Sequence, residues 1–272
     1  MSEPPKIFDR QSLSRQRNRA NIAAADFLHQ SAIDEIDERL KEVNRTFTNP
    51  AVVTGHPTLW SKFGKPVQDD DTLDLAANQH ALVIHGLCLH WSNDPVAQLI
   101  QCRRALLPDG LFMCALFGGQ TLSELRISLA EAESSLTGGL SPRVSPMAEI
   151  RDLGGLLQRA GFAMPVADLV ATKVEYQSSL HLMKELRQMG ETNAMGARPR
   201  SLTSRALLMD ASQRYFDGFG TESGGIIATF DVIFLTGWAP SPDQPKALRP
   251  GSATNRLADA LDTTEHNPDR LT

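Results

Sequence analysis

The sequence predicts an α/β fold, and three observations carry that reading. Ala81–His85 and Leu111–Leu116 are short apolar runs of the kind that form buried strands. A helical pattern lies between them, the crossover that two parallel strands of one sheet require. Ala51-Val52-Val53-Thr54, after the break at Asn49-Pro50, reads as a first strand, and Val166–Tyr176 and Ile226–Thr236 read as two more, the last rich in β-branched residues.

The elements follow in chain order. Residues 1–7 read as loose, because Pro4-Pro5 disfavours regular structure. Arg10–Leu28 reads as one helix, basic through Lys6, Arg10, Arg15, Arg17 and Arg19. Those cations form either a solvated face or a docking surface for an acidic partner. Ser31–Val43 places Ile33, Ile36, Leu40 and Val43 at helical spacing. Between Thr54 and Ala81 there is room for one short helix near Thr58–Phe63 and a poor strand. Gly86 ends the next strand, and Leu87–Trp91 forms a loop. Asn93 or Asp94 caps a helix with Pro95 in its first turn. Pro108-Asp109-Gly110 makes a turn.

Thr121–Leu136 is expected as a helix, followed by a Gly/Pro loop over Thr137–Val144. Ser145-Pro146 opens a further helix that stops at Gly161. The insert between the last two strands contains helices at Leu180–Met189 and Ser204–Phe216, the second capped by Thr203. From Trp238 onward the chain is rich in Pro, Gly and Asp and reads as a tail, with one short helix at Arg256–Leu261.

Composition narrows the function. The 272 residues are 41% hydrophobic and 22% charged, ordinary values for a globular chain. A net charge of −5 argues against bulk binding to nucleic acid. No apolar run approaches the roughly 20 residues of a membrane span, and no apolar signal core opens the chain. Cys88, Cys102 and Cys114 lack CxxC spacing and read as buried reduced thiols, which suits a cytoplasmic protein.

Leu89-His90-Trp91-Ser92-Asn93-Asp94, Arg104–Gly110 and Phe112 resemble strands four and five of S-adenosylmethionine-dependent methyltransferases with a Rossmann-like sheet. Thr121–Arg126, Gly138–Arg143 and Met189–Asn193 resemble, more narrowly, the malonyl-carrier-protein methyltransferase relatives. They are most similar to the group that holds the mitochondrial complex I assembly factor with arginine-hydroxylase activity. The resemblance runs from about Phe8 to Ala260. It implies a methyltransferase sheet whose last hairpin is antiparallel, shortened here on one side. It also implies N-terminal helices over 1–48, a main domain over 49–240 with a helical lid at 178–218, and a tail over 241–272.

The implied function is methyl transfer from S-adenosylmethionine to a small molecule, carrier or protein. The rival reading is a non-methylating assembly factor for a respiratory complex, and arginine hydroxylation is a third, without a metal set to support it. The cofactor would sit against Thr54, Gly55 and His56 after the first strand, Asp69 or Asp71, and Gly86, Leu87 and Trp91 after the third. Departures from the pattern are plain. Gly55 stands alone where several close glycines are expected, Pro57 lacks an N–H, and no acid matches the one that grips the ribose. Cofactor binding is therefore expected to be weak or lost. His80, His85 and His90 repeat every five residues, which scatters them over both faces of a strand. Arg126, Tyr176, Arg187 and Asn193 are polar candidates around the cleft, and catalytic residues are not identifiable.

Overall fold

The structure, a computed structural model, describes residues 6–242 together with Gln244 and Thr263. The compact unit that holds the sheet ends at Pro240. The opening proline pair, most of the tail and the helix expected at 256–261 lie outside the described residues.

Six strands form one sheet: β1 (Ala51–Thr54), β2 (Lys65–Gln68), β3 (His80–Gly86), β4 (Leu106–Gly118), β5 (Ala163–Tyr176) and β6 (Ile226–Trp238). Their order is β2-β1-β3-β4-β6-β5. The first four are parallel, and β6 runs antiparallel between β4 and β5. This is the methyltransferase-like sheet the sequence predicts, with Ile226–Thr236 in the main sheet. It is shortened, because one strand, β2, stands beyond β1 where the resemblance implies two. Residues 55–80 are too few for a second crossover.

The strand pleat sorts the core into two layers. Leu111, Met113, Ala115 and Phe117 of β4 face one layer, and Phe112, Cys114 and Leu116 face the other. The first layer is closed by α2 (Phe27–Val43), α3 (Pro57–Trp60), α5 (Ser123–Thr137), α7 (Ser179–Met189) and α8 (Arg205–Phe219). The second is closed by α4 (Pro95–Ala105) and α6 (Ile150–Arg159).

Several boundaries differ from the sequence reading. The expected helix Arg10–Leu28 is broken. Ala20 is extended, so α1 (Arg10–Arg19) ends there, a 3-10 turn spans Ile22–Ala24, and α2 begins at Phe27. One straight helix could not lay Leu28, Ile33 and Ile36 on the sheet and also turn Arg10 and Arg17 toward the end of β2. The helix expected from Ser145 begins at Ile150, because Ala148 instead accepts the N–H of Gly119. Ser204, not Thr203, caps α8. The turn at Pro108–Gly110 is drawn into β4, with Asp109 at φ 60°.

Phe112 is fully buried and stacks on Phe162, with ring centroids 4.8 Å apart. Phe112→Ala is expected to cost about 3–5 kcal/mol. Urea unfolding of the variant against the parent checks this.

Candidate functional site

The site begins with Asp69, the residue that follows β2. Its carboxylate is fully buried, and two guanidinium groups of α1 meet it. Arg17 Nη1 lies 2.7 Å from Oδ2 and Arg10 Nη2 lies 2.9 Å from Oδ1. Arg10 also donates to the Asp69 and Trp91 carbonyls. The two arginines are seven residues apart and so share one helix face. Asp9 starts that helix by accepting the Ser12 N–H. Burial opposes the charge on Asp69, but Arg17 and Arg10 overcome it and hold the carboxyl at about 2.

Arg17 also fills the turn after β1. A Cβ built on Gly55 would lie 2.5 Å from Arg17 Cζ, so the glycine is required by the packed guanidinium. Thr54 Oγ1 accepts the His56 N–H. The His56 ring meets His29 edge-on at 4.8 Å. His29 Nδ1 accepts the Trp60 indole N–H at 3.1 Å, which places the His29 proton on Nε2. Burial pushes His29 down to about 3, so it is neutral.

The remaining predicted residues divide. Gly86 meets a ring: a Cβ there would lie 2.6 Å from Trp60 Cδ2. Leu87 is buried in the core at φ 48°, its N–H bound to the Ala115 carbonyl. Gly86 and Leu87 thus face packing where backbone approach to a ligand is expected. Asp71 is exposed, 3.8 Å from Arg10. Thr54, Gly55, His56 and Asp69 do come together, around Arg17.

These residues do not fit adenosylmethionine in this arrangement. The face of Gly55 is taken by a guanidinium, and that cation would confront the positive sulfonium and ammonium groups of the cofactor. One expectation is corrected in the other direction. Asp69 stands at the carboxyl end of β2, the strand beside β1, where doubly wound sheets carry the ribose acid. It is hidden in the sequence because the strand unit expected after it is missing, which places it close before β3.

The second feature is a cavity of about 600 Å³ at the carboxyl ends of β3 and β4. Apolar side chains of α5, α7 and α8, with Phe117 and Phe230, form most of its wall. Trp91 and Asn193 supply polar groups, Arg143, Lys184, Arg187 and Arg198 supply four cations, and Glu191 supplies the carboxylate. The Glu191 side chain is only 6% exposed. Its Oε2 accepts from Trp91 Nε1 at 2.7 Å and lies 3.1 Å from His90 Nε2. Its Oε1 has no hydrogen-bond partner among the described residues. Burial opposes the charge, yet His90 and Arg17 hold the carboxyl at about 2. Asn193 is fixed by the Pro142 carbonyl and the Met195 N–H. Arg126 binds the Thr121 and Ser145 carbonyls, and the buried Tyr176 hydroxyl has no partner among the described residues.

The histidines serve different partners. His80 Nδ1 meets the Asn49 carbonyl, and His85 lies between Cys88 Sγ at 3.3 Å and Gln98 Oε1 at 3.2 Å. Ligand atoms of Asp69, His85 and Cys88 all lie within 4.8 Å of one another. Arg10 and Arg17 already occupy the carboxylate, so a cation there would have to displace both. All three cysteines are free and buried.

Sequence reasoning missed Arg17 and Glu191. Arg17 was one cation among five, and only the seven-residue spacing from Arg10 marks it. Glu191 lies inside a family-like stretch but carries no motif of its own.

The chain is 39% identical over 191 residues to the mitochondrial arginine-hydroxylase NDUFAF5 of Danio rerio, covering 70% of this chain and 59% of that one. It is 34% identical over 176 residues to a malonyl-[acyl-carrier protein] O-methyltransferase of Nitrosospira multiformis, covering 64% and 54%. The chain thus has homologues of both kinds and spans a little over half the length of each. Phosphoethanolamine N-methyltransferase 2 of Haemonchus contortus, solved with S-adenosyl-L-methionine, overlays 74% of this chain and 51% of that one, at 13% identity and a TM-score of 0.39. No protein-family model matches the chain. Among the described residues, no helix is long and apolar enough to cross a membrane.

The buried imidazoles set a pH dependence. Burial lowers His29 to about 3 and His85 to about 4, from 6.5. As pH falls below 6.5 the unfolded chain gains these protons and the folded chain does not, so stability falls. Each group steepens the slope by about 1.4 kcal/mol per pH unit until its folded value is reached. Thermal melts between pH 7 and 4.5 are expected to show falling midpoints, with a shallower fall in His29→Phe.

Proposed function

We propose that this chain is a methyltransferase-like protein that engages a protein partner through the cavity beside Glu191 and does not transfer methyl groups while Arg17 fills the Gly55 turn. The partner reading is that of an assembly factor for a respiratory complex, complex I, as the sequence resemblance implies. The α7–α8 insert acts as the lid over this cavity, and the compact unit through Pro240 is the working domain. The buried thiols support a reducing compartment such as the cytoplasm.

One observation carries the reading: Glu191 Oε1 is a buried acceptor without a partner among the described residues, and Glu191 is the one carboxylate in the lining of a cavity that Arg143, Lys184, Arg187 and Arg198 also line. A buried carboxylate oxygen left without a donor is costly. A guanidinium is the group that satisfies it best, through charge-assisted paired hydrogen bonds. The NDUFAF5 relatives are named arginine-hydroxylases, which supports an arginine side chain of the partner as the group received. Adenosylmethionine binding is weak or lost, because Arg17 opposes it by volume and by charge.

Two measurements test this. N-acetylarginine methylamide is expected to bind, and its neutral citrulline counterpart is not. Glu191→Gln is expected to weaken the arginine probe tenfold or more, as loss of a charge-assisted bond of about 1.5–3 kcal/mol requires. Equal binding of the two probes sinks the reading. Calorimetry with adenosylmethionine on the parent chain is expected to give no low-micromolar affinity, and a tight isotherm there would restore methyl transfer.

A further inference from the structure

The two edges of the sheet are built differently. β2 closes one edge with four residues, among them an exposed Lys65 and Pro66. A short edge strand with a lysine and a proline resists the addition of a further strand. β5 closes the other edge with 14 residues, roughly 45 Å of extended backbone. Its one neighbour among the described residues is β6. Its irregularity and Pro165 stand together at one end, between Ala163 and Val166, and Val166–Tyr176 then keeps an unbroken register with β6.

The middle of that edge is apolar and open. Met164, Val166, Leu169 and Val170 are all exposed, and so is Ala171. Val170 lies on the face of the first core layer and Leu169 on the face of the second, since their β6 partners are Val232 and Ile233. Exposure on both faces leaves no helix overhanging the strand there, so another strand can approach in the plane of the sheet. Asp168, the one carboxylate of the stretch from Met164 to Thr172, is neutralised by Arg39 at 2.6 Å. A long, apolar edge of this kind is a template for strand pairing.

We infer that β5 pairs with β5 of a second copy of this chain, antiparallel about a two-fold axis at Val170, so that the two six-stranded sheets become one. This goes beyond the cavity reading above and does not depend on it. The strand's own sequence argues for a second copy as the occupant. A two-fold interface sets each residue opposite the one equally far beyond the axis. About Val170, the run Val166-Ala167-Asp168-Leu169-Val170-Ala171-Thr172-Lys173-Val174 complements itself. Val170 meets Val170 of the second copy, and Val166 meets Val174 twice, which gives three β-branched pairs on one face. Asp168 meets Thr172, whose hydroxyl is a donor to the carboxylate. On the other face Leu169 meets Ala171, and Ala167 meets Lys173. No like charges stand opposite one another. Moving the axis by one residue loses this: about Leu169 the Asp168 carboxylate faces Val170, and about Ala171 it faces Val174.

Sedimentation of the full chain at tens of micromolar is expected to give twice the chain mass. Val170→Lys sets two ammonium groups opposite one another at the axis and is expected to raise the dimer dissociation constant tenfold or more. Leu202→Lys, at an exposed leucine outside the sheet, is expected to leave it unchanged. Both positions are exposed, so neither variant burdens the core. Cross-linking under mild oxidant reads the register. Val170→Cys is expected to form a disulfide-linked dimer, because opposite residues of antiparallel strands lie about 4.5–5.5 Å apart at Cα. Lys173→Cys, six residues out of register with its own copy, is expected to stay unlinked. The native cysteines are buried and take no part. A monomeric parent overturns the proposal, including the case in which the edge takes a strand from a different protein. A dimer that survives Val170→Lys, or that Val170→Cys does not link, overturns it as well.

Discussion

Asp69 and its two arginines hold together parts of the chain that the sheet alone would leave apart. A buried carboxylate is stable only when it is paired, and Asp69 is paired twice from one helix. Removing one member of such a cluster costs about 3–5 kcal/mol, because the remaining charge is left buried. That penalty fixes where α1 lies. Its position then fixes the segment after α7, through Arg198 on Asp9 and Gln16 on the Asn193 carbonyl. Glu191 is in that segment, so the wall of the cavity is set by an ion pair formed at the far edge of the sheet.

The same cluster explains why a sheet that lacks a strand unit still closes properly. β2 is four residues long, contains Pro66 and exposes most of its side chains. A strand so short contributes little pairing energy and makes a protected edge. Its carboxyl end is held chiefly by Asp69, and Gln98 adds hydrogen bonds to the Asp69 carboxylate and the Asp70 carbonyl. Gln98 also touches His85, which joins Cys88. A continuous polar network therefore runs from α1 under the strand ends to α4, where a longer sheet would have strand pairing.

Most of the fold was legible in the sequence because it rests on local signals. The apolar runs of β1, β3 and β4 and the β-branched run of β6 needed only periodicity and length. Boundaries failed where a tertiary contact overruled propensity. Ala20 is a good helix former, yet it is extended because α1 and α2 serve different surfaces. Ser145-Pro146 is a sound helix start, yet the chain stays extended to give Ala148 to Gly119. The site was legible in part. Thr54, Gly55, His56 and Asp69 do gather, but the group they gather around is Arg17, which local pattern marks as a solvent-facing cation. Glu191 was invisible for another reason: no motif marks it, and both its partners, His90 and Trp91, lie about a hundred residues away.

Loss of a strand unit and gain of an internal arginine are consequences of one geometry. With residues 55–80 shortened, the acid at the end of the strand beside β1 has no second neighbouring strand to shield its outer side. A carboxylate in that position must hold a bound ligand, face water or find a cation from elsewhere in the chain. Here the chain before β1 supplies the cation, and only an arginine has the reach and the planar donor set to pair with Asp69 while lying flat on Gly55. Lysine at position 17 could satisfy the charge but not cover the glycine. Shape and charge at Arg17 thus act together.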